Sequence, residues 1–177
     1  LEQRQITFDV NGGSEVAGQV VWNGEYAQRP EDPVWEGHDF QGWYLDEDLF
    51  DFEQTHVTRD LTLTARWISH WTLLQRQIDA AESGDTITLS EDLTADPRDG
   101  ALIIPEGRTI ILDMNGHTID RARTASEYNG WVIKINGGLV LRGGGTITGL
   151  IKHAKLGDAQ RCVEQAQYDL QVFSREL

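Results

Sequence analysis

The sequence predicts a mainly β protein in two parts. A small strand-and-turn module is followed by a short stack of strands, with a helix opening the second part and an amphipathic helix ending the chain. Three observations carry this expectation. Short apolar stretches alternate with polar residues at a period of two and are broken by glycine and proline. The phrases TITL, TIIL and WVIKI recur through the second part. Two stretches instead place apolar residues at spacings of three and four, the helical signature. With 39% hydrophobic residues and six tryptophans in 177 residues, the chain has the material for a packed core.

Residues 5–10 alternate Ile6, Phe8 and Val10 with polar neighbours and read as a strand. Asn11-Gly12 follows, a strong turn signal because both residues tolerate positive φ. Residues 15–22 read as a second strand, after which Pro30 and Pro33 interrupt regular structure before Trp35. Phe40 to Tyr44 reads as a third strand. Residues 57–67 close the module with Leu61, Leu63, Ala65 and Trp67 on one face. Taken in order, FDVNGG, Pro30-x-x-Pro33, GHDFQGWYLDEDL and VTRDLTLTARW make residues 4–67 resemble the Listeria–Bacteroides repeat, also called the internalin B-repeat type. The resemblance implies a β-grasp-like module found in tandem on secreted and surface proteins of bacteria. It also implies that Gly42-Trp43-Tyr44 is a structural signature leading into a polar turn.

The acidic residues after that signature raise a calcium alternative, with Asp46, Asp48 and Asp51 as the ligand set. The spacing departs from an EF-hand loop: Phe50 stands where a third ligand belongs, Asp51 where the central glycine belongs and Val57 where the closing glutamate belongs. A solvated acidic turn is the expectation.

The second part is expected over residues 69–152, after a first domain at 1–68. Trp71, Leu74, Ile78 and Ala81 share one helical face, predicting a helix over 72–83 with Ser69 or Thr72 at its start and Gly84 at its end. Ile87, Ile110 and Ile133 recur every 23 residues, with further strands at 102–104, 117–119 and 139–141, so each turn of the chain is expected to stack on the last. Asn115, in LDMNGH, is placed at a turn. The phrases IDAAESGDTITLSEDLT, LIIPEGRTIILDMNGHTID and GLVLRGGGTITG resemble the opening turns of a pectate-lyase-like, right-handed parallel β-helix. That resemblance implies architecture more than activity, because the fold hosts many functions. The helix at 72–83 would then cap the coil.

Residues 153–177 are expected to form an amphipathic helix. Its stripe is Leu156, Ala159, Val163, Ala166, Leu170, Phe173 and Leu177, with Asp158 at its start, serving as a cap on the same chain or as an oligomerisation seam. Packing on the same chain is favoured, since the flanking residues supply no complementary charges.

Charge narrows the functional classes. A formal charge of −14 and a pI near 4.6, with no basic run, set nucleic acid aside. No apolar stretch reaches the roughly 20 residues of a membrane span, so membrane insertion is not expected. No signal peptide opens the chain, which reads as part of a longer protein. Cys162 is the lone cysteine, and the five histidines show no metalloprotease spacing. No nucleophile elbow or phosphate loop occurs. No catalytic residue and no cofactor is expected. Asp113 and Asp120, flanking the NGH turn, are the carboxylates a polysaccharide lyase or hydrolase alternative would use. His117 in that turn is read as structural. The favoured reading is a non-catalytic module of a secreted or surface-anchored bacterial protein, engaged in adhesion, binding or spacing, with a host-surface glycan or protein as partner. Its candidate binding residues are Trp35, expected to be exposed, with Tyr26 and Trp22.

Overall fold

The structure is a computed structural model and describes residues 2–122, 131–148, 150–153 and 170–173. Among the described residues it is mainly β with one short helix. The chain divides into two compact units, Leu1–Ile68 and Ser69–Leu177.

In the first unit, β1 (Gln3–Asp9), β2 (Gln19–Trp22), β3 (His38–Leu45), β4 (Asp48–Leu49) and β5 (Leu61–Ser69) form one sheet in the order β2-β1-β5-β3-β4. β1 runs antiparallel to β2 and parallel to β5, with Ile6 beside Leu61 and Phe8 beside Leu63. The period-two pattern sends these four side chains to one buried face, while Gln5, Thr7 and Thr62 face outward. Loop residues Ala27, Phe50 and Val57 complete the core beside Trp43. An aromatic series runs through it: Trp35, Trp67, Phe40, Trp43 and Phe8 meet in turn at centroid distances of 5.7, 5.2, 5.5 and 4.8 Å. Edge-on contacts of this kind add to the area the rings bury, which a small unit needs.

The second strand is shorter than the 15–22 expected. The Ser14 amide donates to the Val34 carbonyl at 2.9 Å, and the Val34 amide donates to Ser14 Oγ at 2.9 Å. Those bonds commit the chain to a neighbouring loop, and β2 starts only at Gln19.

In the second unit, α1 (His70–Ala80) is followed by short strands that visit three sheets in rotation. β6 (Thr86–Thr88), β9 (Thr109–Asp113) and β12 (Gly138–Arg142) pair in parallel. So do β7 (Leu93–Thr94), β10 (Thr118–Asp120) and β13 (Gly145–Thr148), and likewise β8 (Leu102–Ile104), β11 (Trp131–Ile135) and β14 (Leu150–His153). Leu102, Ile104, Ile110, Leu112, Ile119, Ile133 and Ile147 fill the interior between them.

The helix begins two residues earlier than expected and ends three earlier. Ser69 is its N-cap, its Oγ accepting from the Thr72 amide at 3.1 Å. Ala81 stands at the C-cap, and Gly84 lies beyond it in a turn, donating to the Thr109 carbonyl at 2.7 Å. Trp71, Leu74 and Ile78 are buried against the strand core, as the spacing predicts.

Two expectations are corrected. The 23-residue ladder of Ile87, Ile110 and Ile133 does not form: Ile87 pairs with Leu112, Ile110 with Leu139, and Ile133 with Leu102 in a different sheet. The connections differ in length, the one from Asp120 to Trp131 being longer than the one from Thr94 to Leu102, so no single period holds. The helix expected over 153–177 is not seen where that stretch is described: His153 ends β14, and Leu170–Phe173 form a strand, β15, parallel to β13. Leu170 and Phe173 of the proposed stripe are therefore strand residues. Leu156, Ala159, Val163, Ala166 and Leu177, with Cys162, lie outside the described residues.

Candidate functional site

At the edge of the first sheet, β2 runs into a turn held by backbone hydrogen bonds. The Glu25 amide donates to the Trp22 carbonyl at 2.9 Å, closing Trp22-Asn23-Gly24-Glu25. The Asn23 amide donates to the Glu2 carbonyl, the Gly24 amide to the Val57 carbonyl, and the Val57 amide to the Glu25 carbonyl, each at 2.8 Å. Arg4 Nε donates to Asn23 Oδ1 at 2.8 Å. The Trp22 amide donates to Glu25 Oε2 at 3.2 Å, so the turn's own carboxylate occupies an outward-facing strand donor. This framework presents Trp22 and Tyr26 at 42% and 45% exposure. The outward face of β2 adds Val20, which is also exposed.

Tyr26 is itself supported. Its ring stacks on His56 at a centroid distance of 4.3 Å, and its hydroxyl lies 3.0 Å from His56 Nε2. His56 Nδ1 is 2.6 Å from the Gly24 carbonyl oxygen. Of the three aromatic candidates, the structure joins Trp22 and Tyr26 through one turn and adds His56. No motif in the sequence marks His56, because its partner lies thirty residues away.

Trp35 belongs elsewhere. It was expected to be exposed, but it is half-buried and starts the aromatic series of the core. One face is covered by His38 at 3.8 Å and 13°, and Gly12 lies against its ring. The reason is the glycine pair at 12–13: without side chains there, Trp35 and Trp67 close onto the backbone.

The acidic residues mostly serve turns. Asp46 and Glu47 form the tight turn between β3 and β4, Asp46 with φ 55° and Glu47 paired with Arg66 at 2.6 Å. Asp51 Oδ1 accepts from the amides of Glu53 and Gln54 at 2.9 and 3.1 Å. Asp46, Asp48 and Asp51 do not converge, and among the described residues no three His, Cys, Asp or Glu side chains are grouped to hold a metal ion. In the second unit, Asp113 Oδ1 accepts from the Asn115 amide at 3.0 Å and Asp120 Oδ1 from the Ala122 amide at 2.8 Å. Asp92 Oδ1 accepts from the Thr118 amide at 2.8 Å and lies 3.3 Å from His117 Nδ1. The Thr118 amide above all, with help from His117, holds the Asp92 carboxyl below the usual carboxylate range. Asp51, Asp92, Asp113 and Asp120 thus each aim a carboxylate at a backbone N–H.

With that geometry in view, the similarity to known proteins is informative. Residues 5–66 match the Listeria-Bacteroides repeat domain. The matched stretch contains the β2 edge, the Trp22 to Tyr26 turn and, apart from Trp67, the aromatic series. Two proteins of Evansella cellulosilytica are similar to part of the chain. A “Putative Gly-rich membrane protein” is 39% identical over 70 residues, covering 38% of this chain and 8% of its own length. A “Putative membrane protein” is 40% identical over 65 residues, covering 35% and 10%. The chain thus spans a tenth or less of either relative. Among the described residues, no helix is long and apolar enough to cross a membrane.

Proposed function

We propose that the chain is a non-catalytic module of a bacterial surface-associated repeat protein and binds a partner through the Trp22 to Tyr26 turn. The observation that carries this reading is two large rings left about half exposed on a turn whose backbone is hydrogen-bonded to two other segments. A rigid frame lowers the ordering cost of binding, and exposed aromatics are the usual anchors of recognition surfaces. The repeat-domain match and the two membrane-protein relatives support surface association. The mixed sheet, with parallel β1 and β5, supports a β-grasp-like reading of the first unit. The rotation of strands through three parallel sheets supports a pectate-lyase-like β-helix in the second. In this reading the carboxylates of Asp113 and Asp120 fix turns rather than cleave polysaccharide.

The test is a glycan and host-protein binding array with the parent chain, Trp22→Ala and Tyr26→Ala, beside a lyase assay on acidic polysaccharides. Saturable binding weakened by about tenfold or more in either variant, each retaining the parent fold by circular dichroism, supports the reading. Binding indifferent to both substitutions, or turnover abolished by Asp113→Asn, overturns it.

A further inference from the structure

The Trp22 to Tyr26 turn combines exposed rings with a positioned carboxylate, and that pairing selects a ligand class. This inference rests on the binding reading above and deepens it. The Glu25 backbone is held on both sides, its amide by Trp22 and its carbonyl by Val57. Its carboxylate is held at Oε2 by the Trp22 amide. The charge therefore sits in the turn that carries Trp22 and leads into Tyr26, and ring faces are the negative ends of their quadrupoles, one face of Tyr26 being taken by His56.

The surrounding field has the same sign. Residues 1–68 contain fourteen acidic residues against four arginines and no lysine. Three of those arginines are already paired, Arg4 with Glu2, Arg29 with Asp32 and Arg66 with Glu47. A neutral sugar gains hydroxyl hydrogen bonds from the carboxylate but nothing from the field, and an anionic one is repelled. A cation gains from ring, carboxylate and field together. A ligand with several positive charges gains from the field repeatedly.

We propose that Trp22, Glu25 and Tyr26 form a site for the ammonium group of a lysine side chain in a basic polypeptide partner.

The experiment is an NMR titration of the chain with a short lysine-glycine repeat peptide and with the same peptide acetylated on every lysine. Acetylation keeps the length and backbone and removes the charge. Glu25→Gln is the informative variant, because the glutamine amide oxygen still accepts from the Trp22 amide while the charge is gone. Asp48→Asn is its control for the general field, since β4 lies at the opposite edge of the sheet from β2. The expected result is movement of the Trp22 indole N–H and the Tyr26 ring signals with the lysine peptide alone. Glu25→Gln should weaken the affinity by about fivefold and Asp48→Asn by much less. Equal response to the acetylated peptide, no movement at Trp22 and Tyr26, or equal weakening by the two variants each overturns the proposal. If the binding array depends on Trp22 while the lysine peptide leaves it unmoved, the binding reading survives and this inference falls.

Discussion

At the scale of single residues, one device appears twice. Asp9-Val10-Asn11-Gly12 and Asp113-Met114-Asn115-Gly116 share the order Asp-x-Asn-Gly. In each, the aspartate accepts from the asparagine amide, at 3.1 and 3.0 Å, and the asparagine stands at φ 47°. The asparagine side chain then donates to a distant carbonyl, Ala65 in one case and Leu89 in the other, both at 3.2 Å. The turn was legible, since Asn-Gly is its chemical signal. The distant carbonyl was not, because nothing local encodes it. Gly12 has φ 109°, and an added Cβ would meet the Trp35 ring at 2.8 Å. Gly12→Ala is therefore expected to destabilise the first unit by about 1–3 kcal/mol, read from denaturant unfolding followed by tryptophan fluorescence. Asp92 supplies a pH dependence. Its carboxyl titrates below the usual range in the folded chain, so its contribution is present above the unfolded value and is lost as pH falls through the folded one. Carboxyl NMR should place its midpoint below that of an unfolded peptide, and His117→Ala should reduce the displacement without abolishing it, since the Thr118 amide is the largest single cause.

At the scale of elements, α1 illustrates what periodicity can and cannot convey. Its buried face was readable from Trp71, Leu74 and Ile78, and Ser69 was one of two residues named for its start. Its other attachments are non-local. Asp99 lies against the N-terminus, within 3.2 Å of Ser69 Oγ and 3.3 Å of Thr72 Oγ1, where a negative charge suits the helix dipole. The Trp71 indole donates to the Gly100 carbonyl at 3.0 Å. Arg121, buried, donates from Nε to the Trp131 carbonyl at 3.2 Å and from its guanidinium to the Asp99 carbonyl. Arg108 donates to the carbonyls of Asp79 and Ala81 at 2.7 and 2.9 Å, closing the C-terminus in place of the expected glycine. Gln75 reaches β8: its Nε2 donates to the Ile103 carbonyl at 3.0 Å, and its Oε1 accepts from the Ile103 amide at 2.7 Å. The side-chain amide thus takes the place of a neighbouring strand. Gln75→Ala should cost about 1–3 kcal/mol and speed hydrogen exchange at the Ile103 amide. Arg108→Ala should cost about 1 kcal/mol and fray the last turn of α1 in the same measurement.

At the scale of the whole molecule, the strands were legible as phrases while their sheet membership was not. TITL and TIIL do belong to one sheet, but WVIKI belongs to another, because connections of unequal length break the apparent repeat. The C-terminal spacing suggested a helix, yet Leu170–Phe173 pair with β13, which supplies a partner edge that periodicity cannot reveal. The two units have separate cores, so two unfolding transitions are expected by calorimetry. Trp43, 1% exposed, lies in the first core. Trp43→Ala should cost about 3–5 kcal/mol and lower one transition only. The helix contacts made by Asp99, Gly100, Ile103 and Arg108 have a consequence in time as well as in space. All come from residues between 70 and 108, apart from the Ser69 cap that immediately precedes them. During synthesis from the N-terminus, these helix contacts are therefore all available before β9 leaves the ribosome, while the Arg121 contacts to Asp99 and Trp71 wait for the later chain. The strands that follow, β9, β10 and β11, pair with β6, β7 and β8, which precede them in the chain.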